Sequence, residues 1–537
     1  MRSTLDITPR TPAPPAARGA VSNADRTPPG VSSLLARAGQ PDYFGWLEHV
    51  RSAAGCTRPV RLAGDLFTVQ SSTGRIVEHR HTNDLPDATI YKACGTRRAR
   101  LCPSCARTYQ ADAYQLIRAG LIGGKGVPAT VAGHGTLFGT FTAPSFGTVH
   151  TRYVKTCACG NPRRCSCRPE PCHARRDPAI CPHGVQIACF DRHDDTDPIV
   201  GTPLCADCYD YDHHAIWNNH AGLLWRRTKE IAERQLAKLC RARRIPFVPK
   251  VSNSGRVTYK PPARIAHGKV AEFQRRGVVH FHAILRLDGV DPHDPAAVIP
   301  PPDGISIEDL VDVLTHAVHT AQLRTAAHPD HPRGWLINWG DPDKALDLRP
   351  VTLHGDGSIT DGQVAGYLAK YATKATEDAG HSSTRLTDDT VDLYANPEGS
   401  HTERLIDACW HLGRPAATGF DGLRRWAHML GYGGHFLTKA RRYSTTFAVL
   451  RAVRVDFRRA ETTQASTSGP LATAVDVDED QALAVAALRF ASSGWHTTAD
   501  AFLANTAADM ARRRAQAARD ELAHEIGTAL NNAQSHA

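Results

Sequence analysis

The chain lacks the features that mark membrane and exported proteins. The sequence contains no run of about 18 apolar residues, so no transmembrane helix is expected. Its N-terminus, MRSTLDITP, lacks the apolar core of a signal peptide. No Gly-x-x-x-x-Gly-Lys-Ser/Thr motif is present, so the chain carries no recognisable helicase motor. These absences predict a cytoplasmic protein that has no membrane partner and relies on other proteins for unwinding.

Composition fits a folded protein of more than one domain. Of the 537 residues, 41% are hydrophobic and 22% are charged, values that are typical of globular proteins. A chain of this length exceeds the size of one ordinary hydrophobic core, so two or three domains are expected. The formal net charge of +10 favours a polyanionic partner.

The chain contains fifteen cysteines, which need an explanation. Because disulfides are rare in a reducing compartment, metal binding is the expected use of clustered cysteines there. Thirteen of the fifteen lie between Cys56 and Cys208, in two groups. The first group is Cys56, Cys94, Cys102 and Cys105, and the second is Cys157, Cys159, Cys165, Cys167, Cys172, Cys181, Cys189, Cys205 and Cys208.

The spacing within both groups predicts structural zinc sites. Each group ends in a Cys-x-x-Cys pair, which is the spacing of a zinc knuckle. The second group, with His173 and His183 nearby, has enough ligands for two sites, but the sequence does not pair them. Closed zinc sites are structural, so scaffolds for DNA-contacting loops are expected. The alternative is reduced cysteines without metal, as expected for the isolated Cys240 and Cys409.

A different candidate metal site lies on a predicted strand. In GVVHFHAILRL, residues 277–287, apolar residues alternate around His280 and His282. Successive strand side chains point to opposite faces, so both histidines share a face and Phe281 lies on the other. Two imidazoles on a rigid strand can hold a divalent cation. The alternative is two half-buried histidines with satisfied hydrogen bonds, since a second His-x-His occurs at residues 79–81 among 28 histidines.

A third ligand would complete this site, and Glu272 is the predicted one. A three-residue hairpin loop at residues 275–277 would put Gly277 where positive φ is needed and Glu272 opposite His280. A two-residue loop would instead turn Glu272 away, and Gln274 is the neighbouring polar side chain. Imidazole suits Mn²⁺ and Zn²⁺ and accepts Mg²⁺ where phosphate oxygens complete the shell.

A predicted helix downstream carries two tyrosines. Asp361 to Glu377 can form a helix with Asp361 as its cap. Tyr367 and Tyr371 are four residues apart and therefore share a face. Neighbouring lysines favour the phenolate, and a metal that polarises a phosphoryl group eases attack on it. The alternative is that both tyrosines pack against a sheet while the lysines reach solvent. The lysines next to these tyrosines are Lys370 and Lys374.

A basic run precedes the histidine strand. From Arg226 to Lys269 the chain has thirteen Lys or Arg against two Glu. Such a run is either a solvated face or a track for the phosphate backbone, whose affinity would fall with added salt. The predicted DNA contacts are Arg226, Arg227, Arg241, Arg243 and Arg244.

The order of these motifs resembles the HUH endonuclease superfamily, in which a hydrophobic residue separates two metal-binding histidines. The resemblance rests on three segments: the predicted strand FGTFTAP at 138–144, the His280–His282 strand, and YLAKYATK at 367–374. More closely, the chain resembles the rolling-circle replication initiators of actinobacterial plasmids and integrative elements. Further segments similar to that family are CPSC at 102–105, WNNHAGLLW at 217–225 and HMLGYGGHF at 428–436.

This resemblance implies an enzyme that nicks the leading-strand origin of its own replicon. Such initiators stay on the 5′ end through a tyrosine, leave a 3′ hydroxyl as primer, and rejoin the displaced strand after one round. By position, His280 and His282 match the metal histidines and Tyr371 matches the nucleophile. Tyr367 sits where phage-type initiators have a second tyrosine, which predicts termination by a second transesterification. The order in which the tyrosines act stays open.

The expected architecture is α/β. An antiparallel sheet would carry the histidine strand centrally, with the tyrosine helix packed beside it and zinc modules added. The predicted segments are a disordered tail at 1–40, a zinc module at 41–130, an HUH nuclease core at 131–415 with a cysteine-rich zinc insertion at 157–208, a basic Gly- and aromatic-rich segment closing the core at 416–470, and a helical C-terminal region from 471 to 537.

The expected partners are single-stranded and origin DNA together with host helicase and polymerase. The expected cofactors are Mg²⁺ or Mn²⁺ at the histidines and Zn²⁺ at the cysteines. Three alternatives remain. A conjugative relaxase or a transposase would use the same chemistry. A non-catalytic zinc-dependent DNA-binding regulator would use both motifs structurally. A zinc hydrolase using His280 and His282 would keep its activity without either tyrosine.

Overall fold

The structure is a computed structural model, and it resolves into two compact units. The first unit joins the segments Met1–Cys105 and Ala474–Ala537, and the second is Ala106–Thr473. No helix in the described part of the chain is long and apolar enough to span a membrane. The five-segment division expected from the sequence is finer and stays a prediction. The described residues are 30–154, 168–177, 179–252, 254–294, 296–352, 359–373, 384–456 and 482–535.

Helices and strands alternate irregularly along the chain, as in a mixed α/β protein. The described helices are α1 Val31–Ala38, α2 Tyr43–Val50, α3 Pro103–Ile122, α4 Tyr211–Ala242, α5 Ile307–Thr320, α6 Asp361–Tyr371, α7 His401–Leu412, α8 Asp421–Arg425, α9 at 447–456 and α10 Thr498–Ser535. The described strands are β1 Val60–Gln70, β2 Ile76–His81, β3 Ile90–Lys92, β4 Thr136–Phe141, β5 Val248–Val251, β6 Val257–Lys260, β7 Ala263–Phe273, β8 Val279–Gly289, β9 Gln322–Arg324, β10 Leu336–Asn338, β11 Leu346–Thr352, β12 Ile359–Thr360, β13 Leu437–Lys439 and β14 Ala482–Ser493.

The first unit is built on a four-stranded antiparallel sheet. Strand β1 pairs with β14 along its whole length, and it also pairs with β2 and β3. A small core of Trp46, Val50, Tyr91 and Ala504 lies in this unit. The indole of Trp46 and the hydroxyl of Tyr91 both donate to Asp87, at 2.8 and 2.9 Å, so the buried polar groups are satisfied.

Two segments of this unit differ from the sequence-based expectation. The predicted disordered tail at 1–40 is wrong for α1, which folds because Arg37 pairs with Asp500 and Asp87 at 2.6 and 2.9 Å. The predicted helical region from 471 is wrong for β14. Its Ala- and Leu-rich sequence has helix propensity, but pairing with β1 satisfies its backbone in the sheet. Helix α10 then follows as expected.

The second unit is organised around a six-stranded sheet. Its strand order is β12-β11-β4-β8-β7-β13, with antiparallel pairing except between β11 and β12. The histidine strand is β8, and it lies centrally, between β4 and β7, as predicted. The mixed α/β class with antiparallel sheets is therefore confirmed.

Hydrophobic cores cover both faces of this sheet. On one face, Phe281 of β8 packs with Trp225 of α4 in the larger core. On the other face, Ile284 of β8 packs with Leu368 of α6 and with α3. Residues 280, 282 and 284 alternate with 281, so both histidines lie on the face that α6 covers. The packing of α6 and the strand periodicity together place the tyrosine helix and the histidines on one side of the sheet.

A buried ionic network anchors β8 below the histidines. Arg286 and Asp288 are both fully buried, and two guanidinium nitrogens bond the carboxylate at 2.7 and 2.8 Å. The imidazole of His134 bonds the same carboxylate at 2.7 Å. Arg286 also donates to backbone carbonyls, among them that of Tyr443 at 3.1 Å. These contacts fix the strand that carries the candidate metal ligands.

Candidate metal and tyrosine site

The hairpin between β7 and β8 sets the register of the site. Gln274 and Val278 bracket the loop by a backbone hydrogen bond of 2.9 Å, and Gly277 has φ of 80°. The three-residue loop is therefore the one that forms, and the two-residue alternative is excluded. Glu272 pairs directly with His280 across the two strands. The predicted register is confirmed.

Three potential ligand atoms converge at this place. The Nε2 atoms of His280 and His282 lie 3.2 and 3.0 Å from the same oxygen, Oε2 of Glu272. Burial opposes ionisation of this carboxyl, but hydrogen bonds from both imidazoles lower the pKa of Glu272 to about 2. Burial also lowers the pKa of His282, which favours the neutral imidazole that metals bind. This Glu272–His280–His282 group could hold a metal ion.

Neighbouring side chains orient the two imidazoles. Thr140 on β4 places its hydroxyl 3.1 Å from Nδ1 of His282, so that Nε2 faces Glu272. Phe138 stacks on the His282 ring with centroids 5.8 Å apart. The side chain of Gln274 reaches Nδ1 of His280 at 3.5 Å. Both imidazoles are thus held on the Nδ1 side, opposite the Nε2 atoms that face Glu272.

Helix α6 begins one residue earlier than the sequence suggested. Its N-cap is Thr360, whose hydroxyl accepts a hydrogen bond from the Gln363 N–H in a capping box. The predicted cap, Asp361, is the first helical residue, and it pairs instead with Arg118 of α3 at 3.1 Å. The helix ends at Tyr371 in the described chain, and Lys374 lies outside the described residues.

Both tyrosines reach the histidine site. The Tyr367 hydroxyl lies 3.2 Å from Nε2 of His282, and the Tyr371 ring centroid lies 6.0 Å from that of His282. The two phenol rings are 4.4 Å apart. Burial, with the nearby Glu272 carboxylate, raises the pKa of Tyr367. Lys370 is exposed, with Nζ 6.0 Å from the Tyr371 ring centroid.

The first cysteine group assembles as predicted from its spacing. Cys56, Cys94, Cys102 and Cys105 place their sulfurs close enough to hold one metal ion. The sulfurs of Cys102 and Cys56 are 3.9 Å apart, and backbone N–H groups point at both. Hydrogen bonds from Cys105 and Cys56 lower the pKa of Cys102, which favours the thiolate that binds metals.

The second cysteine group divides into two mixed sites. One comprises His150, Cys172, Cys189 and His193, and the other comprises Cys181, His183, Cys205 and Cys208. The sequence prediction missed His150 and His193. His193 follows Cys189 by four residues, a spacing that zinc motifs use, whereas His150 is remote in sequence and becomes a neighbour only through folding. Four predicted ligands, Cys157, Cys159, Cys165 and Cys167, lie outside the described residues.

The predicted DNA-contacting arginines are not equivalent. Arg243 makes a two-pronged ion pair with Asp309 at 2.5 and 2.6 Å, so its charge is already neutralised. Arg226 lies 3.8 Å from Glu230 on the same helix, and Arg241 stacks over Phe247. Arg227 and Arg244 are exposed. These last two are the residues of the set best placed to meet a phosphate.

The fold and site define a class: a mixed α/β protein whose cysteine-rich groups could hold metal ions and whose Glu–His–His group faces two tyrosines. Residues 42–509 match the family model of the pSAM2 replication initiator protein RepSA. A replication initiator protein from Streptomyces ambofaciens is 36% identical over 507 residues, which cover 93% of this chain and 97% of that protein. No solved structure matches. The chain belongs to this family of replication initiator proteins, which implies that it interacts with DNA.

Proposed function

We propose that the protein initiates rolling-circle replication by nicking one DNA strand at its origin through a tyrosine. The convergence of both tyrosines on the Glu272–His280–His282 group carries this proposal. A central antiparallel histidine strand beside a tyrosine helix is also the arrangement expected of an HUH endonuclease. Single-stranded and origin DNA are the proposed substrates, and host helicase and polymerase are the proposed partners in the cytoplasm.

The three ligand atoms fit a small divalent cation. Two imidazole nitrogens and one carboxylate oxygen are donors that Mn²⁺ accepts readily and Mg²⁺ accepts when phosphate oxygens complete the shell. The depressed pKa of Glu272 keeps the carboxylate ionised, and the lowered pKa of His282 keeps that imidazole neutral. A bound cation would polarise the scissile phosphate and offset the charge that develops on it.

The chain's own residues then position and perform the transfer. Tyr371 loses its proton and its oxygen attacks the phosphorus of one phosphodiester. A bond forms between this oxygen and phosphorus, and the bond from phosphorus to the 3′ oxygen breaks. The 3′ oxygen gains a proton and becomes the primer end, while the 5′ phosphate stays on the tyrosine. Lys370, and Lys374 by its position in the sequence, would favour the phenolate.

Two tyrosines on one site support termination by a second transfer. Burial and the nearby Glu272 carboxylate raise the pKa of Tyr367, which disfavours its phenolate. We propose that Tyr371, which matches the family's nucleophile by position, attacks first, and that Tyr367 accepts the strand when the second cut releases a closed circle. Each step exchanges one phosphoester for another, so the energy for rejoining is retained without ATP.

The alternatives predict different behaviour. A relaxase or transposase shares the site chemistry, but the family assignment favours replication. A zinc-dependent regulator would have no use for two tyrosines and one carboxylate that converge on two histidines. A zinc hydrolase would cleave DNA without either tyrosine.

The proposal is tested on a denaturing gel with labelled single-stranded DNA from the protein's own replicon. Wild-type protein in Mn²⁺ should give a slow-migrating covalent band, and EDTA should remove it. The double variant Tyr367→Phe/Tyr371→Phe should form no adduct and still bind DNA. Cleavage that survives in the double variant would favour the hydrolase. DNA binding with no wild-type adduct on any origin fragment would favour the regulator.

We also propose that the three cysteine-containing groups hold zinc and are structural. Cys189→Ser removes a ligand of the His150 site, so the purified variant should contain about one zinc fewer per chain than wild type. Its melting temperature should fall, because structural zinc contributes directly to folding free energy. Metal analysis and a melting curve measure both. Cys240→Ser, a matched change outside the groups, should keep the zinc content, and an equal content in both variants would contradict the assignment.

A further inference from the structure

An open cleft of about 550 Å³ lies beside the β7–β8 hairpin in the second unit. One wall is the hairpin tip, with Gln274, Arg275 and Arg276. The other wall comes from the segment before the cysteine-rich insertion, with His150 and Arg152, and from the insertion itself, with His173 and Gly201. The lining contains three arginines and no carboxylate, so its charge suits an anion.

Arg276 is the most informative residue of this cleft. It is partly buried, and burial lowers the pKa of its guanidinium. Buried charges in proteins are normally paired. In the described chain, Arg276 makes no ion pair, and its one side-chain hydrogen bond runs from Nε to Oε1 of Gln274 at 2.9 Å. Its two terminal nitrogens therefore remain available for a ligand that brings a negative charge.

Contacts from the insertion hold this arginine in place. The backbone of Gly201 has φ of 96° and sits so close to Arg275 and Arg276 that a Cβ there would lie 2.6 Å from the hairpin backbone. Arg275 donates to the carbonyl of Asp197 at 3.0 Å. The Asp197 carboxylate in turn accepts from Nδ1 of His193, at 2.7 Å. The His150 metal group is thus tied to the hairpin tip.

The cleft also connects with the candidate metal site. The side chain of Gln274 bonds Arg276 with its oxygen and approaches Nδ1 of His280 with its nitrogen. One side chain therefore separates the unpaired guanidinium from a proposed metal ligand. The cleft therefore adjoins the candidate metal site.

We infer that this cleft binds a backbone phosphate of single-stranded DNA next to the scissile one, with Arg276 as its main ligand. The inference rests on the proposed function for the position of the scissile phosphate. A planar guanidinium with two free edges suits phosphate oxygens. The insertion then has a role beyond stability, because its metal group shapes one wall of a DNA subsite.

The test is binding of a short fluorescent single-stranded oligonucleotide by the zinc-loaded protein without added Mn²⁺ or Mg²⁺, followed by anisotropy at several KCl concentrations. Arg276→Gln should weaken binding about tenfold, the effect of losing one charge-assisted contact. The slope of log affinity against log salt should fall in magnitude by about 0.7, the value for one phosphate on a single strand. Arg276→Lys keeps the charge and should lose less affinity.

Two further variants keep the test decisive. Arg175→Gln removes an exposed arginine already paired with Asp177 at 3.1 Å, so its binding and slope should match wild type. If Arg276→Gln folds poorly, Arg152→Gln alters an exposed residue of the same cleft and should shift the slope in the same direction. Unchanged affinity and slope in folded cleft variants would overturn the inference, as would an equal loss on blunt duplex DNA.

The outcome is separable from that of the proposed function. Because no Mn²⁺ or Mg²⁺ is added for cleavage, the binding measurement does not need catalysis. A wild-type protein that forms no adduct but shows the Arg276 effect would retain the phosphate subsite and lose the nicking proposal. A wild-type adduct without the Arg276 effect would support the nicking proposal and overturn the phosphate subsite.

Discussion

His282→Ala is expected to lower the rate of covalent adduct formation at least about a thousandfold while single-stranded DNA binding persists. The Nε2 atom of His282 lies 3.0 Å from Oε2 of Glu272 and 3.2 Å from the Tyr367 hydroxyl. The substitution therefore removes one of the three candidate metal ligands, the one nearest Tyr367. A metal that stabilises a phosphoryl transition state contributes several kcal/mol, and about 1.4 kcal/mol corresponds to tenfold in rate. Single-turnover kinetics in Mn²⁺ measure this loss.

A second His-x-His in the chain offers the matched control. His79 lies on β2 in the first unit, is exposed, and pairs with Asp65 at 2.8 Å. His79→Ala therefore changes the same residue type in the same local pattern without touching the candidate site, and its rate should equal that of wild type. Similar rates for His282→Ala and wild type would exclude β8 as the metal strand.

Asp288→Asn is expected to destabilise the second unit by about 3–5 kcal/mol, the cost of leaving one partner of a buried ion pair unpaired. Arg286 would keep its charge at full burial and lose its carboxylate. Urea unfolding, followed by tryptophan fluorescence, gives the change. The control is Asp347→Asn, which breaks an exposed pair with Arg349 and should cost about 0–1 kcal/mol. Equal losses in both variants would contradict a structural role for the buried network.

The same carboxylate makes stability depend on pH in a defined direction. Burial opposes its ionisation, yet hydrogen bonds from His134 and Arg286 lower the pKa of Asp288 below its usual value. Its contribution is therefore complete above the unfolded pKa of about 3.9 and is lost as pH falls through the folded value. The free energy of unfolding of the wild type should fall below about pH 4. That of Asp288→Asn should change less over the same pH range.

The site hairpin was the part of the fold most accessible from sequence. Alternating apolar residues around His280 and His282 define a strand, and a glycine at position 277 selects the loop. Loop length then fixes the register, so Glu272 could be placed opposite His280 without any knowledge of the rest. Helix α6 could also be predicted from its own sequence. Only its N-cap differs from the prediction: it is Thr360, which forms a capping box with Gln363, and not Asp361.

Long-range pairing explains the errors. Helix α4 begins at Tyr211, because Asp210 caps it through the His213 N–H at 2.9 Å. Buried Trp217 and Asn218 occupy its first turns, so the amphipathic pattern appears only later. Strand β14 pairs with a segment some 420 residues away, which no local pattern reveals. His150 joins Cys172 only through the fold, for the same reason.

Mass spectrometry of the digested adduct tests most directly for a metal-dependent phosphotyrosine link in α6. Trypsin cuts after Lys370, so Tyr367 and Tyr371 fall in different peptides. After nuclease trimming, wild type in Mn²⁺ should carry a nucleotide remnant on the peptide that begins with Tyr371, and EDTA should abolish it. A remnant on Tyr367 would reverse the order of the two transfers. A remnant on neither peptide, with DNA cleaved, would contradict cleavage through a tyrosine of α6.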